Sequence, residues 1–177
     1  KGATLIANDV DALDGKIADV ATILEKELGA KVQCNIYFSM QGHQGFDVHF
    51  DVHEVFALHI IGEKVWKLYE GRLDNPINDE YFRNLDADFC NANCGKVQEN
   101  VTMKPGDILY IPRGQFHDAL ASSDASLHLT FGITHIIGHD VMSLILQRAI
   151  ADPAFRSNLP LAQLGPTARA NWLNELA

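Results

Sequence analysis

The sequence is poor in cysteine, in basic residues and in long apolar runs, and each deficit excludes a class of protein. Three cysteines in 177 residues are too few for a disulfide framework, so we expect reduced thiols in a cytoplasmic protein. The 14 Lys and Arg against 23 Asp and Glu give a formal net charge of -9, which argues against direct binding to nucleic acid. No apolar run approaches the roughly 18 residues of a membrane-spanning helix, so no membrane partner is expected.

The composition that remains is that of a globular protein. Hydrophobic residues make up 47% of the chain and charged residues 21%, which predicts one domain with a sizeable core and a small appendage. Cys90 and Cys94 have a spacing that suits half of a zinc site, but no second pair completes four ligands. They are interpreted as ordinary reduced thiols.

The H-x-D triplet at residues 49–51 is the most informative local pattern. In an extended chain His49 and Asp51 point to the same side. His117 follows a Pro-Arg-Gly turn far downstream, in a strand-rich context in which a small β-barrel brings distant residues to one mouth. Two histidines and one carboxylate, with three open positions, are the ligand set of non-heme Fe(II) oxygenases. The pattern therefore predicts an iron site.

Lys64 occupies an unusual place between apolar neighbours. The apolar runs at 55–61 and 63–69 flank a Gly-x pair, which predicts a two-residue hairpin that pairs His59 with Trp66. Lys64 then shares a strand face with Trp66. Its ammonium group either reaches solvent along its alkyl stem or stays buried to meet an anionic ligand.

The distance between the triplet and Lys64 requires a change of chain direction. A straight strand from His49 to Ile61 would span about 40 Å, too far for Lys64 to share a small pocket with the metal. We therefore predict a bend near Val52 to Glu54, with the ligand pair on a turn or strand end.

Three more histidines have alternative interpretations. His53 follows Asp51 at the same two-residue spacing as Asp51 follows His49. Three ligands from one bend would need the backbone to wrap the ion, so we favour a place for His53 beside the ligands or facing the substrate. His59 lies within an apolar strand and is predicted to be a hydrogen-bonded core residue. His128 lies on one side of the last predicted strand.

The remaining periodicities predict a strand and helix at the start, a β-rich middle and a helical tail. The predicted elements are strands at 3–7, 32–39, 101–103, 108–111, 116–120 and 126–133, and helices at 16–28, from Asp140 to about Ala151, and from Thr167 to Leu176. Residues 40–45 are predicted to be a loop. The polar segment 71–99 is predicted to be an insert that forms a mobile lid or a substrate-facing loop.

The strand at 32–39 alternates cleanly between apolar and polar residues. Asn35 and Tyr37 lie on its polar side. Such a side is either the wet face of a sheet or the lining of a pocket inside a barrel, and the pattern fits both.

Three segments together carry a resemblance to a known family. They are HFDVHEVFALHIIGEKVWKLY, KPGDILYIPRGQFHDA and SLHLTFGI, and they resemble the JmjC-type cupins (Cupin_4) of the ribosomal-oxygenase group, which are Fe(II)- and 2-oxoglutarate-dependent hydroxylases. The resemblance covers roughly residues 30 to 135 and extends into the tail. It implies a mainly β fold, a double-stranded β-helix of the cupin or jelly-roll type, with a flanking N-terminal helix and a C-terminal helical tail.

The same resemblance assigns roles to individual residues. It implies that His49, Asp51 and His117 bind the iron and that no other residue is catalytic. It implies that Lys64 pairs with the distal carboxylate of 2-oxoglutarate, and that Asn35 and Tyr37 line the pocket of that co-substrate. One departure is Gly132, which stands where the family often has a serine.

The resemblance also implies an organisation and partners. Residues 1–136 are expected to form the JmjC-like barrel with its N-terminal strand and helix, and residues 137–177 the start of a dimerisation region, so a homodimer is expected. The implied substrate is a protein or peptide side chain, in this group a residue of a basic ribosomal protein. An acidic surface complements such a substrate.

Two other classes of function compete with this interpretation. A cupin metalloenzyme that does not use 2-oxoglutarate, such as an isomerase or a direct dioxygenase, would often bind its metal through three or four histidines, for which His53 and His128 are candidates. A non-catalytic cupin binding module, recruited through its helical tail, would not need an intact ligand set.

Overall fold

The computed structural model describes residues 4–40 and 46–175. The chain divides into two compact units, Lys1–His135 and Ile136–Ala177. Residues 41–45 of the loop predicted at 40–45 lie outside the described residues, as do residue 3 of the first predicted strand and residue 176 of the last predicted helix. Met40 belongs to a strand.

The first unit contains strands and short helices in alternation. Its strands are β1 Thr4–Ala7, β2 Lys31–Met40, β3 Glu54–Ile61, β4 Lys64–Arg72, β5 Val97–Met103, β6 Ile108–Ile111, β7 Gln115–Ala121 and β8 Ala125–Thr134. Its α-helices are α1 Gly15–Leu28, α2 Glu80–Arg83 and α3 Ala87–Asn93, and a 3-10 helix at Val10–Ala12 precedes α1. Every strand predicted from the sequence is present, and the largest difference in length is at β5, which begins four residues earlier than the predicted 101.

The strands form two antiparallel sheets that pack on each other. In the described residues the strand order is β1-β2-β8-β3-β6 in the larger sheet and β5-β4-β7 in the smaller one. The core between them includes Val55 and Ala57 from the larger sheet and Trp66 and Met103 from the smaller. This arrangement confirms the predicted double-stranded β-helix.

The predicted hairpin between residues 55–61 and 63–69 is wrong. β3 pairs with β6 and β8, whereas β4 pairs with β5 and β7. Gly62 has a positive φ of 72° and carries the chain from one sheet to the other. Each strand has one apolar face. Packing two such faces on each other removes more apolar surface from water than placing the two strands side by side. The local signal of a Gly-x pair does not distinguish these outcomes.

The predicted bend after the triplet is confirmed. The backbone bends at Val52 and His53, and β3 starts at Glu54. This change of direction lets residues on both sides of the bend line the same cavity.

The N-terminal helix covers the face of the larger sheet that points away from the smaller one. The Asp14 carboxylate accepts hydrogen bonds from the backbone amides of Lys16 and Ile17 and caps α1. Ala21 of the helix packs in one core cluster with Cys34. Burial and the nearby Asp11 raise the pKa of the Cys34 thiol to about 12, so this thiol stays protonated.

The segment predicted to be a mobile lid or a substrate-facing loop is a packed part of the unit. It forms α2 and α3, and the buried thiols of Cys90 and Cys94 pack with Phe116 of β7 in a separate core cluster. A Cβ at Gly71 would lie 2.2 Å from the Asn93 carbonyl oxygen, so the helix approaches β4 closely. The two thiols act here as small apolar groups. No local pattern in the sequence indicated that they pack against β7.

The second unit contains two described α-helices, α4 Gly138–Ala149 and α5 Gly165–Glu175. α4 begins two residues before the predicted start, and the Asp140 carboxylate accepts a hydrogen bond from the Ile137 amide from within the first turn. Of the helices in the described residues, none combines the length and the apolar character that a bilayer crossing requires.

Candidate metal centre

The three predicted ligands lie together at one end of the space between the sheets. His49, Asp51 and His117 each offer one ligand atom, and these atoms all lie within 4.8 Å of one another. His117 Nε2 is 3.6 Å from Asp51 Oδ2, and the two imidazole centroids are 4.4 Å apart. Three ligands grouped in this way leave the opposite side open to other molecules, as a facial triad requires.

Backbone hydrogen bonds bring the distant parts of the chain together. His49 and His117 form an isolated antiparallel bridge, in which each amide donates to the other carbonyl at 3.1 and 2.9 Å. The Gly114 amide donates to the Asp51 carbonyl at 2.9 Å. Gly114 has a φ of 82°, and a Cβ there would lie 2.1 Å from the Leu73 carbonyl oxygen, so the turn before β7 requires glycine.

Both imidazoles are oriented for coordination through the same nitrogen. Nδ1 of His49 lies 2.8 Å from the Asp47 carbonyl oxygen, and Nδ1 of His117 lies 2.9 Å from the Gln115 carbonyl oxygen. A carbonyl only accepts, so each Nδ1 carries the proton and each Nε2 is left with a free lone pair. Burial and the neighbouring His49 lower the pKa of His117, which keeps this ring neutral and able to bind a metal.

Lys64 is buried and lines the same cavity as the three candidate ligands. The cavity has a volume of about 190 Å³, and the Lys64 residue is only 3% exposed. Its Nζ has a long contact of 3.4 Å with Ser39 Oγ. Burial lowers the pKa of Lys64 to about 8. Of the two alternatives for this lysine, the structure shows the buried one.

Tyr37 and Asn35 share a strand face and line different spaces, although their side chains are in contact. Tyr37 lines the cavity. Asn35 lines an adjoining polar groove of about 310 Å³, where its Oδ1 accepts a hydrogen bond from the Asp9 amide. The face of β2 that carries both residues therefore continues beyond the cavity.

His53 and His59 lie outside the ligand cluster. His53 lines the polar groove and lies against Gly132, where a Cβ would meet His53 Cε1 at 3.0 Å. A serine at residue 132 would therefore require this ring to move by a few tenths of an ångström. His59 is fully buried, and its Nε2 lies 3.0 Å from the Gly62 carbonyl oxygen. Its Nδ1 has no hydrogen-bond partner among the described residues. The predicted core position is thus confirmed, and the predicted hydrogen bonding is confirmed for Nε2 only.

Some cavity residues were missed by the predictions from sequence. Besides the predicted ligands, Lys64 and Tyr37, the cavity is lined by Thr4, Phe46, Val55, Trp66, Ala119, His128 and Thr130. His128 was noted as an alternative metal ligand, but it is not in the ligand cluster. The two-residue period of β8 predicts that His128 and Thr130 share one face, and only the pairing with β2 shows that this face is the inner one.

The fold and the ligand cluster together define a class of protein. It is a double-stranded β-helix with a candidate site of two histidines and one carboxylate at its mouth. A family model described as the JmjC domain matches residues 12–141, and the chain belongs to the JmjC domain family.

Relatives of known name agree with this family. The chain is 30% identical over 165 residues to the bifunctional lysine-specific demethylase and histidyl-hydroxylase NO66 of Drosophila yakuba. The aligned residues cover 88% of this chain and 24% of that protein. It is 30% identical over 168 residues to ribosomal oxygenase 2 of Bos taurus, and this alignment covers 90% of this chain and 35% of that protein. This chain thus spans about a quarter to a third of these two curated relatives.

A solved structure has a similar fold. It is that of YcfD, a ribosomal oxygenase from Escherichia coli, in complex with cobalt and 2-oxoglutarate. The match has a TM-score of 0.64 at 21% identity and covers 98% of this chain and 45% of that chain.

Proposed function

We propose that this protein is an Fe(II)- and 2-oxoglutarate-dependent oxygenase that hydroxylates a side chain of a protein or peptide. The observation that carries the proposal is the convergence of His49, Asp51, His117 and Lys64 on one cavity. Iron(II) held by the three ligands would supply the oxygen chemistry that couples decarboxylation of 2-oxoglutarate to hydroxylation of an unactivated C–H bond.

The charges in the cavity match those of a metal ion and a dicarboxylate. The cluster supplies one carboxylate and two imidazole lone pairs, which suits a divalent cation. Lys64 is the only lysine or arginine among the described residues that line the cavity. A buried ammonium group without a carboxylate partner is costly, and it gains that partner if the distal carboxylate of 2-oxoglutarate reaches it.

Buried polar atoms around Lys64 also fit a polar ligand. Trp66 Nε1 and His128 Nδ1, which belong to two residues that line the cavity, are buried and have no hydrogen-bond partner among the described residues. Buried polar groups are rarely left unpaired, so such a group of atoms indicates bound water or a ligand. The cavity thus fits a co-substrate with several oxygen acceptors.

The relatives support the class of reaction and the class of substrate. Proteins named as a histidyl-hydroxylase and as ribosomal oxygenases are 30% identical to this chain. A ribosomal protein is basic, and the formal net charge of -9 on this chain would favour its approach. The proposed substrate is therefore a basic, ribosomal protein or a peptide from one.

The test is an anaerobic titration of the Fe(II)-loaded protein with 2-oxoglutarate. We expect a weak visible charge-transfer band in the natural sequence and its loss in Lys64→Ala, because the far carboxylate then has no cation to pair with. Lys104→Ala, which removes an exposed lysine that pairs with Glu63, is the matched control and should keep the band.

Other outcomes of the titration would favour the competing functions. No band in protein that has bound one equivalent of iron would favour a cupin enzyme that does not use 2-oxoglutarate. Failure to bind iron would favour a non-catalytic binding module. A band of equal strength in Lys64→Ala would remove this lysine from the co-substrate site.

We further propose that the second unit forms a homodimer through α4. No residue of α4 is buried, and Val141, Leu144 and Ile145 on one side of this helix are 49%, 56% and 52% exposed. An exposed apolar stripe of this kind is typical of an interface, and a second copy of the chain offers the same stripe to it.

Light scattering after size-exclusion chromatography tests the homodimer. We expect the mass of two chains for the natural sequence and of one chain for the double variant Leu144→Asp with Ile145→Asp. The control Gln147→Asp changes an exposed polar residue of the same helix and should stay dimeric. A single-chain mass for the natural sequence at micromolar concentration would refute the proposal.

A further inference from the structure

The polar groove that adjoins the metal cavity has no part in the proposed reaction. None of the three candidate metal ligands lines it, so it does not hold the group that reacts. Its volume is about 310 Å³. Apart from Gly132, every residue that lines it has a polar side chain, and these residues are Asn8, Asp9, Gln33, Asn35, His53 and Thr134. A polar space at this place is suited to another part of the molecule that enters the cavity.

Asp9 is held in a fixed position at this groove. Its backbone has a φ of 55° and a ψ of 38°, in the left-handed region that aspartate and asparagine adopt more readily than most residues. Its amide donates to Asn35 Oδ1 at 3.1 Å, and its Oδ1 accepts a hydrogen bond from Gln33 Nε2 at 2.7 Å. Two side chains of β2 therefore fix both the backbone and the carboxylate of Asp9.

The hydrogen bonds within the groove use donors and leave acceptors. A carboxylate only accepts, so Gln33 turns its nitrogen toward Asp9 and keeps its Oε1 for other donors. His53 Nδ1 lies 3.1 Å from the Glu54 carbonyl oxygen, so Nδ1 carries the proton and Nε2 keeps a lone pair. An ionised carboxylate has about four acceptor sites, and the bond from Gln33 occupies one of them. Asp9, Gln33 and His53 thus each present an acceptor.

The position of the His53 ring depends on the glycine at residue 132. A Cβ on Gly132 would lie 3.0 Å from His53 Cε1 and 3.3 Å from His53 Nε2. Gly132 pairs across the larger sheet with Gln33, so the ring lies beside the Gln33 amide. The departure from serine at this residue therefore gives the groove its imidazole acceptor.

The charge of the groove is opposite to that of the inner cavity. The residues that line the groove include one carboxylate and no lysine or arginine. Lys31 lies further along the same face of β2, but it is exposed and does not line the groove. Three acceptors around one negative charge suit a cation with several N–H donors. The arginine guanidinium has five such donors in one plane and is more weakly hydrated than an ammonium group.

One extended peptide can reach both the cavity and the groove. Tyr37 lines the cavity and Asn35 the groove, and their side chains are joined by a hydrogen bond. Two residues apart on one face of a strand, they lie about 7 Å from each other. An extended peptide places its own side chains i and i+2 on one side at the same spacing. A peptide with one side chain in the cavity therefore has another at the groove.

We infer that this groove binds the guanidinium group of a substrate arginine that lies close in sequence to the hydroxylated residue, through Asp9, Gln33 and His53. The inference rests on the proposed function, because a protein or peptide substrate is what brings the arginine to the groove. The groove then selects among basic substrates by the residues beside the hydroxylated one and takes no part in the reaction itself.

The test is a titration of ¹⁵N-labelled protein with N-acetylarginine methylamide, followed by the NMR signals of the Gln33 and Asn35 side-chain amides. The protein is loaded with diamagnetic Zn(II) and 2-oxoglutarate, which fill the cavity and leave the groove to the probe. We expect saturable shifts of both amides with millimolar affinity. The citrulline derivative has the same shape without the charge, and it should bind at least about tenfold more weakly because charge-assisted hydrogen bonds are lost.

Asp9→Asn is the variant that isolates the charge of the groove. Asparagine tolerates the left-handed backbone and still accepts the hydrogen bond from Gln33, so we expect the fold to persist. Binding of the arginine probe should weaken about tenfold, as for the loss of a hydrogen bond to a charged group. Asp19→Asn removes an exposed carboxylate of α1 and is the matched control, which should leave the affinity unchanged.

The outcomes separate this inference from the proposed function. If the metal-loaded protein does not bind 2-oxoglutarate, the proposed function fails, and the arginine titration still measures the groove. If 2-oxoglutarate binds but the arginine probe shifts neither amide, the groove inference alone is overturned. Equal affinity for the citrulline or the lysine derivative would also overturn it, and this comparison uses the unchanged chain. Unchanged affinity in Asp9→Asn would reduce Asp9 to a residue that only fastens the backbone to β2.

Discussion

Replacing His117 by alanine is expected to abolish the decarboxylation of 2-oxoglutarate that occurs without substrate and to weaken metal binding. His117 is 3% exposed, and its Nε2 lies 3.6 Å from Asp51 Oδ2. Its loss leaves two ligands from one short bend, which cannot hold the metal in a facial arrangement. Succinate formation and binding of Mn(II) measured by calorimetry check the two effects.

A control and a second variant distinguish the loss of a metal ligand from misfolding. His139 is exposed, and His139→Ala should keep full activity. Asp51→Asn changes a half-buried ligand without changing its volume and should lose activity with little effect on thermal stability. Full turnover in His117→Ala would contradict the assignment and transfer the third ligand to His53 or His128.

Replacing Lys64 by methionine is expected to increase stability while it removes the binding of 2-oxoglutarate. Burial lowers the pKa of Lys64 from 10.5 to about 8. The folded protein therefore holds this proton less tightly than the unfolded chain, and the buried charge costs about 3 kcal/mol of stability at neutral pH. Methionine fills a similar volume without that cost, so the free energy of unfolding should rise by up to about 3 kcal/mol.

Affinity should change in the opposite direction. Truncating one partner of a buried charge pair weakens binding on the order of a hundredfold or more. Urea denaturation at pH 7 and calorimetry with 2-oxoglutarate measure the two quantities in the same variant. Lys104→Met, at an exposed position, should change neither. Lower stability together with unchanged affinity would show that Lys64 is a structural residue.

The same lysine predicts the pH dependence of binding and of stability. Only the protonated amine attracts a carboxylate, so the affinity for 2-oxoglutarate should be constant below pH 8 and fall about tenfold per pH unit above it. The contribution of Lys64 to the stability of the free protein has the opposite trend and rises between about pH 8 and 10.5. Both trends should be absent in Lys64→Met.

Much of the site could be predicted because its signals are local. The i, i+2 spacing of His49 and Asp51 places both side chains on one side of an extended chain, and β6 was predicted with its observed bounds. The bend at Val52 and His53 followed from a distance limit, given that Lys64 shares the cavity of the metal site. These inferences need only the geometry of a strand and the length of the chain.

Contacts between distant segments could not be predicted in the same way. The signal at Gly62 and Glu63 is the same for a hairpin and for a crossing between sheets, and the structure shows the crossing. The insert at 71–99 was predicted to be a mobile lid or a substrate-facing loop because its sequence is mostly polar, but Cys90 and Cys94 within it pack against Phe116. In both cases the outcome depends on which apolar face is available elsewhere in the fold.

The sequence by itself determined the residue types of the metal site, the strands that carry them and the family resemblance. Only the tertiary structure decided that Lys64 is buried, that Tyr37 and Asn35 line different spaces, and that His128 belongs to the cavity. The physical reason is that alternation along a strand tells which residues share a face, whereas the pairing of β2, β8 and β3 decides which face points inward and what it meets there.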